Sequence, residues 1–238
     1  MDIVSYLLGK NASGGGGGGD LDWTTIGYSG TPQTITDALN YSKNIYDNWS
    51  GGSLDSKYMS NTNIIFIPLV DISYATSMNR TFYETNIIEV PMLNTSNIVD
   101  IQYCFYGCKS LKKVAKINTS NVQNFQAVFN SCSSLETIPQ LNTTNGTNFN
   151  GTFRFCSNLK NVPTLTLTKA TNMENMFGGC TSLTNDSLNN IMASLLTATS
   201  YTGTKTLKQI GLSSSQATTC EGLGNYSSLI SAGWTKGY

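Results

Sequence analysis

The chain has 238 residues, enough for one or two ordinary domains, and its 39% hydrophobic content allows a true core. Fourteen Lys+Arg balance fourteen Asp+Glu, so the basic excess that a phosphate-bound nucleic-acid protein needs is absent. There is no His, which removes the usual general base, the usual metal ligand and every Ser-His or Cys-His pair.

Charged residues are only 12%, so Asn, Thr and Ser must carry solubility. No run of 18 or more apolar residues occurs, and no membrane span is expected. The chain opens "MDIVSYLLGK". Asp2 replaces a basic n-region and the apolar run is short, so this is not read as a signal peptide, and folding in a cytoplasm is expected. Residues 1–10 form an apolar tag in which Ile3, Val4, Tyr6, Leu7 and Leu8 are candidate anchors for attachment to another subunit. A frayed terminus is the plain alternative. Residues 11–20 are a Gly-rich linker; its glycine run lacks a preceding strand and a following Gly-Lys-Ser/Thr, so it is no phosphate loop.

Residues 21–57 read as an N-terminal cap with one helix at about 35–49, apolar at Ile35, Leu39, Ile45, Tyr46 and Trp49. Then a period of 24 residues begins. Copies anchor on Val70, Leu93, Ile117, Leu141 and Leu165, the first interval being one residue short. Twelve residues after each anchor stands a Phe: Phe82, Phe105, Phe129, Phe153 and Phe177. Three further on come Thr85, Cys108, Cys132, Cys156 and Cys180, then Ile87, Leu111, Leu135, Leu159 and Leu183. Val90, Val114, Ile138 and Val162 follow, with Pro91, Pro139 and Pro163 behind three of them. An earlier, degenerate copy is expected to start near Tyr58.

Within a copy, Val122, Phe125, Phe129 and Cys132 are spaced 3, 4, 3, which predicts one face of a short helix capped by Ser120 or Asn121. The stretch "LETIPQL" predicts a short strand, with its Pro at the strand end. No copy can bury its apolar side alone, whereas stacked copies can. The expected fold is therefore an α/β repeat solenoid over residues 58–188, leucine-rich-repeat-like, with one short strand and one short helix per copy. Residues 189–238 read as a C-terminal cap: a helix in "NDSLNNIMASLLTAT", a strand at 204–211, a helix from about Ser213 and another near 225–232.

The unit "NTSNVxxFxxxFxxCxxLxxIP" resembles the BspA-like leucine-rich repeats and the related repeats of mycoplasma-type surface lipoproteins. The resemblance implies a leucine-rich-repeat-like solenoid and a role in surface attachment. The closing "KTLKQIGLSSSQAT…LISAGWTKGY" resembles the ends of repeat proteins common in gut bacteria and their prophages.

The recurring thiols lie along a line instead of converging, and Thr85 fills the same slot, so structural cysteines are expected and no metal site. Asp71, Glu84, Glu89, Asp100, Glu136 and Glu174 recur in no fixed pair. The rows "NTSN" at 94–97 and 118–121 and "NTTN" at 142–145 read as capping and turn chemistry. Side chains that change between copies while the core does not are the candidate ligand-binding positions: Glu89, Lys112, Lys113, Lys116, Glu136, Gln140, Lys160 and Asn161.

The functional expectation is a non-enzymatic adhesion or display module without cofactor. Its setting is expected to be a phage virion, as a tail or decoration protein made in the cytoplasm and binding a host-surface protein or glycan. The alternatives are a bacterial cell-surface adhesin, a carbohydrate-active enzyme on a solenoid scaffold, and a purely structural decoration subunit. Expected partners are other virion or surface-assembly subunits held by the N-terminal tag, with self-association among them.

Overall fold

The computed structural model describes residues 54–62, 64, 67, 72–90, 93–115 and 117–238. The tag, the linker and the helix expected at 35–49 lie outside the described residues.

Successive copies lie side by side and in parallel. Ser77, Asp100, Asn124, Asn148 and Asn172 are joined in that order by parallel bridges. The backbone that follows each of them alternates the destination of its N–H groups. In the third copy, Phe125, Ala127, Phe129 and Ser131 donate to the next copy's Asn148, Asn150, Thr152 and Arg154 carbonyls at 2.8, 2.9, 2.9 and 2.7 Å. Val128, Asn130 and Cys132 donate instead to carbonyls three residues back. The expected short helix is therefore absent here, and residues 72–183 contain no helix among those described. An α-helix spends its N–H groups on its own i−4 carbonyls, and every second N–H here is spent on a neighbour.

Two residues per copy make this geometry possible by taking positive φ. One column is Ser56, Arg80, Tyr103, Ala127, Gly151 and Asn175; the other is Ser60, Glu84, Gly107, Ser131, Phe155 and Gly179. Each left-handed residue costs a side-chain-bearing position roughly 1–2 kcal/mol. The cross-copy hydrogen bonds and the core beneath must offset that cost. The pattern is already present at Ser56, Tyr58 and Ser60, whose N–H groups reach the Asn79, Thr81 and Tyr83 carbonyls. The repeated part thus begins before Tyr58, inside the segment expected to be a cap.

The side-chain columns face inward as their spacing implied. Phe82, Phe105, Phe129, Phe153 and Phe177 are all buried. With Tyr58 their rings form a continuous stack, centroids 5.5–5.8 Å apart. Each buried Phe contributes roughly 1.5–3 kcal/mol. A second pair, Phe125 and Phe149, stacks at 5.0 Å, and Gly146 makes room for it. A Cβ at Gly146 would lie 2.3 Å from the Phe149 ring, where the other copies carry Ala, Ile or Val.

The missing residue of the first copy has a definite place. From Ser60, Gly107, Ser131, Phe155 and Gly179 the aliphatic column of Ile64, Leu111, Leu135, Leu159 and the partly buried Leu183 is four residues on; from Glu84 to Ile87 it is three. The later copies fill the difference with an outward turn at 109–110, 133–134, 157–158 and 181–182. The ring stack and Ile87 are undisturbed.

Two short strands, β1 (Glu89–Val90) and β2 (Lys113–Val114), pair in parallel, Glu89 with Lys113 and Val90 with Val114. Thr137 and Asn161 continue the ladder as a single bridge. Pro139 and Pro163 come two residues after these paired positions, where no ladder N–H is lost.

Beyond the copies, the chain becomes helical: α1 (Asn185–Leu196), α2 (Ser214–Cys220) and α3 (Tyr226–Ser231). Thr184 caps α1 through the Ser187 N–H, and Ser213 with Gln216 forms a capping box on α2. The strand expected at 204–211 reduces to one parallel bridge, Thr206 with Thr235. Asn175 and Phe177 donate to the Gln209 and Ile210 carbonyls, so this segment covers the last copy. Among the described residues no helix is long and apolar enough to cross a membrane.

Candidate binding face

The short-strand side of the copies carries most of the expected ligand positions. Val90, Val114, Ile138 and Val162 point inward and are buried. Alternation sends their neighbours outward, so Lys113, Thr137 and Asn161 are exposed. Lys112, Glu136, Gln140 and Lys160 are exposed as well. Glu89 is not: it is 4% exposed and makes polar contacts of its own, as burial of a charge requires. Its place on an open face is corrected accordingly. Lys116, and the tag residues Ile3, Val4, Tyr6, Leu7 and Leu8, lie outside the described residues.

Several of these positions work between copies. The Lys160 ammonium meets the Glu136 carboxylate at 2.9 Å, with both side chains about half exposed, a setting in which a pair adds little stability. Gln140 Nε2 donates to the Thr164 carbonyl of the next copy at 2.8 Å. Lys112 and Lys160 donate backbone N–H to Ile88 and Glu136.

The Asn-Thr rows form the corner next to this face. The first Asn makes a local turn: Asn94, Asn118 and Asn142 Oδ1 accept the N–H two residues on, at 3.3, 3.0 and 3.2 Å. The buried Thr bonds forward, Thr95, Thr119 and Thr143 Oγ1 donating to the Asn118, Asn142 and Thr166 carbonyls. The last Asn bonds backward, Asn97, Asn121 and Asn145 Nδ2 donating to the Ser73, Ser96 and Ser120 carbonyls. Turn chemistry is present, then, but it fastens copies together instead of capping a helix. Leu93, Asn94, Ile117, Asn118, Thr119, Gln140 and Asn142 line an open groove of about 660 Å³ here. The first Asn of each row was visible in sequence; that three of them share a groove follows only from the stacking.

A second side-chain row escaped sequence reading. Asp100, Asn124, Asn148 and Asn172 each accept the N–H two residues on. Their columns are plain once the left-handed residues are known. On the same side the Arg80 guanidinium lies over the Tyr103 ring at 4.8 Å, and Tyr83 stacks on Tyr106 at 4.7 Å.

The thiols point away from chemistry. All six cysteines are unpaired and buried. Cys108, Cys132, Cys156 and Cys180 donate S–H to the carbonyl of the preceding copy's Phe at 2.9–3.0 Å. Burial pushes Cys108 up to about 11 and Cys180 up to about 12, and Cys104, Cys132 and Cys156 well up. No group of His, Cys, Asp or Glu among the described residues is arranged to hold a metal ion.

A family model, described as Mycoplasma protein of unknown function, DUF285, matches residues 71–191, just over half of the chain. The chain belongs to the DUF285 family. The DUF285 match covers the copies from residue 71 onward and ends inside α1, so α2 and α3 lie outside it. It agrees with the resemblance to mycoplasma-type repeats. No curated protein and no solved structure matches this DUF285 chain.

Proposed function

We propose that the chain is a leucine-rich-repeat-like solenoid acting as a non-enzymatic attachment module, whose strand face and Asn corner contact a ligand on a host surface. The observation that carries this reading is the contrast between columns. The inward Phe, Cys and Leu columns barely change from copy to copy, whereas the outward positions run Lys112, Glu136, Lys160 and Lys113, Thr137, Asn161. A scaffold without a partner has no need of that variety on one face. Six buried, unpaired thiols support folding in a reducing compartment, which favours a virion component released by lysis over an exported adhesin. Residues 1–10 are proposed as the peptide that docks into the particle, and residues 11–19 as its tether, ~15–18 Å on average for a Gly-rich coil of that length.

The test uses the full chain and a variant lacking residues 1–19, each fluorescently labelled. Both should bind isolated cell envelopes and melt at nearly the same temperature, and only the full chain should co-sediment with assembled particles. Absence of binding to any cell surface would remove the attachment reading. Normal incorporation of the truncated protein would remove the docking role of the tag.

A further inference from the structure

We propose that the groove at the Asn corner, with the adjoining lysines, is a binding site for an acidic saccharide, one bearing carboxylate or sulfate groups. This deepens the attachment reading and rests on it. Three observations converge. The first is the state of the groove amides. In Asn94, Asn118 and Asn142 the Oδ1 is held by a backbone N–H, which has no choice but to donate. The amide assignment is therefore forced, and the Nδ2 side is what remains for a ligand. None of the three Nδ2 groups has a partner within the described residues. The corner thus offers a row of donors, one per copy, over about 10 Å at the ~4.8 Å spacing of parallel neighbours. A donor row wants a ligand rich in acceptors.

The second observation is charge. Between Asp100 and Glu136 the sequence holds four lysines and no acid, although the whole chain is neutral. Lys109, Lys112 and Lys113 are exposed and make no ion pair among the described residues. The acids on either side are already engaged, Glu136 with Lys160 and the buried Glu89 with contacts of its own. The lysines here outnumber the acids set against them, Glu89 opposite Lys113 in the ladder and Glu136 beside Lys160. Lys113 lies four residues before Ile117 in the groove wall, so the two Cα atoms are at most ~14 Å apart.

The third observation concerns shape and the remaining polar atoms. Gln140 spends its Nε2 on carbonyls and leaves Oε1 to accept a hydroxyl. Leu93 and Ile117, each 7% exposed, show only a narrow apolar edge at the groove floor. Hydroxyls, ring carbons and anionic groups together describe an acidic sugar better than a bare polyanion. Four lysines also fall short of the phosphate neutralisation on which nucleic-acid binding depends.

The decisive variant is Asn118→Asp. Its carboxylate still accepts the Ser120 N–H, so the turn survives, while a donor becomes a repelling charge. Binding of the full-length protein is measured on immobilised sulfated and sialylated saccharides and on their desulfated or desialylated counterparts. Wild type should prefer the acidic forms, and N118D should lose at least about tenfold in affinity with an unchanged melting temperature. Lys112→Ser with Lys113→Ser should weaken binding and flatten its salt dependence. Equal affinity of wild type and N118D overturns the proposal. So does binding to duplex DNA or to vesicles of anionic lipid as tight as to the saccharide, since charge alone would then suffice. Undiminished attachment to cells stripped enzymatically of acidic glycans removes this ligand and leaves the attachment reading standing. Tight acidic-saccharide binding without any cell attachment does the reverse.

Discussion

Residues 72–183 and residues 184–238 solve the same problem by opposite means. In the copies, half of the N–H groups of the turn segments leave for the neighbour, side chains from Thr95, Asn121 and Cys132 do the same, and only the other half bond locally, three residues back. In the closing segment, α1 and α2 satisfy their own backbone and carry their own caps at Thr184 and Ser213. The difference teaches that the copies have no stability apart from one another, while the cap helices are held first by local bonds and then by packing. Stability in the copies is a property of interfaces and propagates from neighbour to neighbour.

The comparison can be broken most severely at the ring stack. Phe129→Ala should cost ~3–5 kcal/mol in denaturant unfolding. Amide exchange should accelerate in the copies on both sides of it and far less in α2 and α3; uniform acceleration through the whole chain would contradict neighbour-by-neighbour coupling. Next in size is Gly146→Val, which restores the side chain of the preceding copy. The new atoms meet the Phe149 ring, and overpacking should cost ~1–3 kcal/mol. Adding Phe149→Met, the residue type of the next copy, should recover most of the loss.

Alkaline pH should act on the copies through their thiols. An unfolded thiol ionises near ~8.5, whereas Cys180 is pushed up to about 12 by burial. The folded pKa is raised, so the stabilisation is complete below the unfolded value and is lost as pH rises from about 8.5 towards about 12. The loss is up to ~1.4 kcal/mol per pH unit for each such thiol. Melting temperature should fall between pH 8 and 10.5, and less so in Cys180→Thr, which copies Thr85. An identical fall in that variant would assign the effect elsewhere. The smallest change sharpens the contrast from the other side. Ser213→Ala removes a cap and should cost about 1 kcal/mol, with faster exchange confined to α2.

How much could be read in advance follows the same division. The burial of Val122, Phe125, Phe129 and Cys132 was legible because side-chain spacing records which way residues face. Their backbone was not, because Arg80, Tyr103, Ala127 and Phe155 carry no preference for positive φ, and the cross-copy bonds impose it. Helix α1 and the start of α2 near Ser213 were legible since their signals are local. The strand expected at 204–211 failed because its partner, Thr235, lies far along the chain and pairs at a single position. At the candidate face, Lys112, Lys113, Lys160 and Asn161 were legible as side chains that change between copies, and alternation with buried Val114 and Val162 accounts for the exposure of Lys113 and Asn161 alone. The burial of Glu89 was not legible, and the groove joins residues 24 apart that no window of sequence sets together.

The short first copy has a practical consequence. Its missing residue falls in the outward turn after Thr85, and the stack on either side does not register the loss. The turns at 109–110, 133–134, 157–158 and 181–182 occupy the same place in the later copies. Each is therefore a point where length is free to vary during descent. Each is also a point where a foreign peptide could be grafted, making the molecule a rack that mounts successive epitopes one copy apart.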